Sequence, residues 1–377
     1  NIPLNEKFKT EILQRLLSYL QEKSIKFKYD KSNDRIELNN PTPEILKETI
    51  ENFDIIESAT NSAFTTVRPG EFNTVTREQG INIVNADDNL PIIGIIDTGI
   101  SSTSAIAPLL INDSSFSLNG DPFIDIANFH RNGHGTPVAG LATLGKINHL
   151  NQFNQDVIAD AKALSIKISN SGNGFISEIE LVNMLYKVKA KYPQIKIFTL
   201  TTCYDRHKTT NETFSDYTFL LDKFAHETDS LIFICTANNN DAINDNSSYD
   251  LSYFHSEKTN ICTPADSMNN FTVGAAADNI SNGPFLGIAD GREFPTLFSR
   301  KGHIDLSLIF PKNKTNNKYF KPDVIESGGD LGYYNAITLD YMDDSMIDLI
   351  SARPEMGLFK DLGTSFSTPL VANLAAK

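Results

Sequence analysis

The chain has 377 residues and a formal net charge of −14, a length that exceeds the usual single domain and predicts one large domain with a smaller companion. Its acidic balance, without a stripe of lysine and arginine, argues against a nucleic-acid or anionic-membrane partner, because phosphate binding needs clustered positive charge. No apolar run is long enough to span a bilayer, and three cysteines, Cys203, Cys235 and Cys262, are an odd number without metal-type spacing, which fits free thiols in a reducing compartment.

Phe8, Ile12, Leu13, Leu16, Leu17 and Leu20 recur with helical period and predict a first helix. Ile25, Phe27 and Tyr29 alternate with lysines, residues 30–34 carry turn chemistry, and residues 35–38 alternate again, which predicts a hairpin. Thr42 followed by Pro43 is the start signal of a second helix through Phe53, and Ile55–Ile56 is expected as a final strand. The domain reading is a small α/β module over 1–66, a polar linker over 67–89 containing Pro69-Gly70, and a large domain over 90–377.

From Leu90 the pattern changes. Continuous apolar runs at 90–96, 163–168, 195–200, 231–235 and 271–275 are those of strands covered on both faces. Helix-period stretches at 176–190 and 217–227 separate them. The alternation predicts an α/β fold with a doubly wound, mostly parallel sheet and helices on both faces. Ligands then bind beyond the carboxyl ends of the strands, where Asp97 and the Asn238-Asn239-Asn240 cluster fall. Residues 240–260 and 279–317, rich in Asn, Ser, Asp and Gly, are expected as long surface loops.

Three remote segments each offer one reactive side chain: Ile96-Asp97-Thr98-Gly99, Asn132-Gly133-His134-Gly135-Thr136, and Gly363-Thr364-Ser365-Phe366-Ser367-Thr368-Pro369. A serine hydroxyl is a poor nucleophile until an imidazole takes its proton and a carboxylate fixes the imidazole's tautomer. Taken singly, each residue has a plainer reading: a turn aspartate, a surface histidine, a helix-capping serine. Asp-Thr-Gly after an apolar strand also suits an aspartic protease, but that mechanism needs a second such loop or a homodimer, and no second Asp-Thr-Gly or Asp-Ser-Gly occurs. Pro369 is expected in the first turn of the last helix, with Ser365 in the loop entering it.

In these motifs, in His134-Gly135-Thr136-Pro137-Val138-Ala139-Gly140, and in weaker echoes at 161–168 and Lys321-Pro322-Asp323-Val324, the chain resembles the subtilisin-like serine proteases, the subtilase family. The order Asp, His, Ser is the one known for subtilisin. The resemblance covers about Pro91 to the end and implies a subtilisin-like fold and a serine endopeptidase. Ser365 would be the nucleophile, His134 the base and then acid, and Asp97 its orienting partner. It implies an Asn oxyanion donor, which residue-by-residue matching puts at Asn239, with Asn238 at a family glycine. It further implies a substrate edge at Thr201 and Thr202, where Cys203 replaces the family's glycine, and further substrate contacts from Ala237, Gly172 and Gly174. The N-terminal module is similar to a subtilase propeptide, with cleavage expected around Ser62 to Thr66.

A protein or peptide substrate follows from the resemblance, and bacterial subtilases encoded beside AAA ATPases suggest such an ATPase as partner. No cofactor or catalytic metal is expected; structural calcium is not readable, since its ligands would be scattered oxygens. Absence of a leader and the cysteine pattern point to the cytoplasm, while a start at Asn1 without methionine leaves a removed leader open. The abrupt stop at Lys377 suggests a piece of a longer polypeptide. Two rival readings share the motifs: a subtilase fold used for binding, and an esterase or amidase with the same triad.

Overall fold

The computed structural model describes residues 6–31, 35–56, 59, 65–66, 81–87, 89–125, 133–147, 156–170, 173–174, 176–209, 212–239, 249–277, 285–287, 289, 294–305, 318–334, 338–340, 346–353 and 357–377. It divides into two compact units, Asn1–Ser62 and Ala63–Lys377. The first contains α1 (Glu6–Glu22), the antiparallel pair β1 (Lys26–Asp30) and β2 (Arg35–Asn39), and α2 (Pro43–Asn52). Leu16 and Leu20 of the expected apolar face are buried, whereas Phe8 is exposed. Thr42 caps α2 by accepting from Ile45 N at 3.3 Å. Ile55 and Ile56 form no strand: Ile56 N bonds back to Phe53 O at 3.0 Å, closing a turn, and the Phe53 ring packs against Tyr19.

The second unit is built on six parallel strands. β5 (Ile92–Asp97), β7 (Lys162–Lys167), β9 (Ile197–Leu200), β11 (Leu231–Cys235), β12 (Phe271–Ala276) and β16 (Val324–Ser327) lie in the order β16-β12-β11-β9-β5-β7. Alternate residues of each strand point to opposite faces, so both faces need cover. Ile93 and Ile95 face α3 (Gly135–Leu144) and α6 (Thr364–Ala376). Ile96, Phe198, Leu200, Ile232 and Ile234 face α4 (Glu178–Lys191) and α5 (Asp216–Thr228). This is the doubly wound arrangement expected from the alternating runs.

Smaller pairings surround the sheet. β3 (Thr65–Thr66) lies antiparallel between β8 (Asn173–Gly174) and β10 (Cys203–Tyr204), and β4 (Asn82–Ile83) runs parallel to β6 (Asp156–Val157). Within the stretch expected as a linker, Ile81, Ile83 and Ala86 pack against the core. β13 (Phe285–Gly287), β17 (Gly332–Tyr334) and β18 (Thr338–Asp340) form one antiparallel sheet. β14 (Gly302–Asp305) pairs with β15 (Lys318–Lys321), and β19 (Ile347–Ile350) with β20 (Leu358–Asp361). Among the described residues, no helix is long and apolar enough to cross a membrane.

The chain leaves β5 to form β7 on one side and then crosses to β9 on the other. The point where winding direction reverses is where the loops part and leave a crevice at the carboxyl ends of the strands. Asp97 ends β5, and Thr201 follows β9 directly across that crevice.

Candidate active site

At the switch point the chain assembles a buried polar cluster. Asp97 Oδ1 lies 2.8 Å from His134 Nδ1 and accepts from Thr98 N at 2.7 Å, while Asp97 Oδ2 accepts from the Thr201 hydroxyl. Both oxygens of a carboxylate that is 1 % exposed are therefore engaged. Burial opposes ionisation of Asp97, but the facing His134, its hydrogen bond, the Thr201 hydroxyl and the Thr98 N–H outweigh it and hold the carboxyl below its usual range. Burial likewise disfavours charge on His134. The Asp97 carboxylate, its hydrogen bond and the Asp125 carboxylate outweigh that cost and raise the imidazole above its ordinary value.

His134 stands at the N-cap of α3, a helix buried along its whole length. Its Nδ1 is committed to Asp97, and its Nε2 is buried with no hydrogen-bond partner among the described residues. An unpaired acceptor inside a protein costs about 1 to 3 kcal/mol, so a site that keeps one is poised to receive a proton donor.

Ser365 is in the first turn of α6, next to Phe366, whose ring centroid is 5.8 Å from that of His134. Its neighbours in that turn are buried while Ser365 itself is half-buried. Ser365 Oγ donates to the Thr201 carbonyl at 3.3 Å. Thr201 thus touches two of the three motif residues, Asp97 through its side chain and Ser365 through its backbone. The helix begins at Thr364, earlier than the sequence suggested, and Pro369 lies inside it. Only one intrahelical bond is forfeited, the one Pro369 N would have given Ser365 O.

The Asn cluster departs from the sequence expectation by one residue. Asn239 Nδ2 donates to the Tyr253 hydroxyl at 2.8 Å, its backbone N–H to Phe298 O at 2.7 Å, and its side chain is buried. The side chain at the start of α6 is that of Asn238. Its Oδ1 accepts from Thr364 N at 2.9 Å and Thr364 Oγ1 at 3.0 Å, which fixes the amide and turns Nδ2 toward Gly363. Ala237 adopts a left-handed backbone, φ +68°, and this local twist shifts which asparagine faces the helix start.

Of the expected substrate contacts, Thr202 is buried with a hydroxyl that has no partner among the described residues, Gly174 lies in β8, and Gly172 falls outside the described residues. Cys203 directs its side chain into the core, with Sγ 3.1 Å from Cys235 O and 3.7 Å from Cys235 Sγ. Its backbone remains available to pair with Thr66. All three cysteines are free and buried.

Sequence reasoning missed one member of the cluster. Asp125, buried, accepts from Thr98 Oγ1 at 2.7 Å, His134 N at 3.2 Å and Thr136 N at 2.7 Å. It precedes His134 by nine positions in a stretch without a recognisable motif, so only the folded contacts reveal it.

The switch point of this parallel α/β fold thus holds the buried Asp97–His134 pair beside the first turn of α6, which carries Ser365. The subtilase family model matches residues 88–377, and the chain belongs to that family of serine peptidases. Among solved structures it is similar to the prenylagaramide maturation protease PagA, with 16% identity, a TM-score of 0.43, and 77% of this chain and 75% of that one covered. It is similar also to the MycP3 protease of the type VII (ESX-3) secretion system, with 15% identity, a TM-score of 0.43, and 84% and 80% covered. A third is a protease from Pseudoalteromonas arctica PAMC 21717, with 15% identity, a TM-score of 0.42, and 79% and 81% covered. No curated protein sequence matches the chain.

Proposed function

We propose that this protein is a serine endopeptidase acting through Asp97, His134 and Ser365. The observation that carries this reading is the buried Asp97–His134 pair, with imidazole Nε2 left unpartnered beside the first turn that bears Ser365. Asp97 holds the Nδ1–H tautomer, which leaves Nε2 as the base. Rotation of the Ser365 hydroxyl from the Thr201 carbonyl toward Nε2 transfers its proton as Oγ attacks the peptide carbonyl. The imidazolium then protonates the leaving amine, and water releases the acyl group by the same steps in reverse.

The tetrahedral intermediate needs donors aimed at its oxyanion. We assign these to Asn238 Nδ2 and the Ser365 backbone N–H, in place of Asn239. First-turn N–H groups have no intrahelical acceptor, and the helix dipole favours negative charge there.

A peptide substrate is favoured over a small acyl compound by the strand slot between β8 and β10. There Thr65–Thr66 already pairs as an extended backbone on both sides, the geometry of strand addition.

A fluorophosphonate probe should label the protein and fail on Ser365→Ala, and unfolded casein should be cut by the first protein alone. Labelling without casein cleavage, together with hydrolysis of small esters, would replace the peptidase reading with an esterase one. No labelling of a folded wild-type chain would remove the nucleophile assignment altogether.

A further inference from the structure

We propose that Asp125 is a positioning residue of this centre: a buried carboxylate that ties the start of the His134 helix to the Asp97 loop and thereby sets how imidazole and Asp97 meet. The inference deepens the peptidase reading and rests on it.

The two groups that must align belong to different elements. Asp97 ends β5, and His134 opens α3. Asp125 Oδ1 receives Thr98 Oγ1 at 2.7 Å from the first and His134 N at 3.2 Å from the second, and Oδ2 receives Thr136 N at 2.7 Å. Thr98 completes the link, since its hydroxyl accepts from Gly135 N at 3.1 Å while its N–H holds the same Asp97 oxygen that meets the imidazole. An ordinary capping residue serves one helix; this carboxylate clamps a helix start to a strand end. Gly133 makes the approach possible. At φ +75° it adopts a conformation suited to glycine, and a Cβ there would overlap the Asp125 carboxylate.

Charge adds a second effect. The Asp125 carboxylate lies close enough to His134 to favour the imidazolium. Burial raises its own pKa, partly offset by the Thr98 and Thr136 donors. The other ionisable groups facing the pair are Asp97 at the end of β5, Cys235 at the end of β11, and Lys167 of β7 with Asp121 in the loop below. Lys167 Nζ donates to Ile124 O at 2.5 Å. Replacing Asp125 with asparagine removes one negative charge and turns an acceptor into a donor facing an N–H or O–H donor.

The test compares full-length proteins. In a Ser365→Ala background, NMR titration of the His134 ring should show its pKa falling by about one unit on Asp125→Asn. With Ser365 intact, Asp125→Asn should lower kcat by about 10²-fold with KM nearly unchanged. Thr98→Val, which keeps the Asp125 charge and cuts the link, should lower kcat while leaving the His134 titration in place, and Thr98→Ser should restore activity. An Asp125→Asn protein with unaltered titration and unaltered kcat overturns the proposal. If Asp125→Asn does not fold, wild-type kcat in folded Thr98→Val does so instead. An inactive wild type would count against the peptidase reading, while the NMR titration would still decide the role of Asp125.

Discussion

At the residue scale, the two neighbouring asparagines make opposite predictions. Asn238→Asp keeps an acceptor for Thr364 but loses the amide donor. It should lower kcat by roughly 10²- to 10³-fold with KM little changed, the general consequence of removing an oxyanion donor. Asn239→Ala, which breaks the bond to Tyr253, should lower the melting temperature and spare kcat in the folded fraction. Steady-state kinetics beside thermal denaturation separates the two, and the reverse pattern would return the donor role to Asn239. The sequence motif could not choose between them. Both residues are polar, adjacent and asparagine, and the choice depends on the left-handed backbone of Ala237.

The same scale fixes the pH response. His134 is raised above its ordinary 6.5 in the folded protein, so the neutral base is depleted as pH falls through that raised value. The acid limb of kcat/KM should therefore have its midpoint above about 6.5. A midpoint clearly below it would mean that burial, which lowers the imidazole, outweighs the Asp97 carboxylate.

At the element scale, the positions of Asp97 and Thr201 depend on how closely β5 and β9 pack. Gly94 on β5 leaves room for the ring of Phe198 on β9, and a Cβ at position 94 would overlap that ring. Phe198 is fully buried against Phe224. Gly94→Ala should cost about 1 to 3 kcal/mol by overpacking, and Phe198→Leu should recover part of that loss in the double variant. Chemical denaturation of the two single variants and the double reads the coupling; strict additivity would show that the two positions do not compete for space.

Much at this scale was legible before folding. Apolar runs gave five of the six parallel strands, because a strand buried on both faces carries no alternation; β16, at the sheet edge and partly exposed, carries no such run and was not read as a strand. Helix starts were less legible. Thr42-Pro43 announced α2, but α6 opens at Thr364 with glycine as its N-cap and a proline inside it, a combination that reads as a later start. Ile55–Ile56 has strand propensity yet closes a turn, its Ile56 N–H bonding back to Phe53 O, so propensity yielded to local context. Asp125 was invisible because its three donors come from positions 98, 134 and 136, and nothing in local spacing announces such a convergence.

At the scale of the whole molecule, the division after Ser62 and the pairing of Thr65–Thr66 in the slot between β8 and β10 bear on processing. Thr65–Thr66, three residues beyond that division, occupies the slot where a substrate backbone is proposed to lie. Incubated at neutral pH, the wild-type protein should release a fragment ending between Ser62 and Thr66, and Ser365→Ala should remain whole. N-terminal sequencing of the larger product checks this; an intact wild-type chain with full casein activity would mean that the first unit stays attached during catalysis.

The central claim, that three remote segments fold into one proton-relay nucleophile, is tested most directly by intact-mass and peptide-mapping spectrometry after fluorophosphonate treatment. A single adduct on Ser365, formed at a rate reduced by about 10³-fold or more in His134→Ala and strongly slowed in Asp97→Asn, is the predicted result. An adduct on another residue, or labelling of Ser365 at the same rate in His134→Ala, would contradict it.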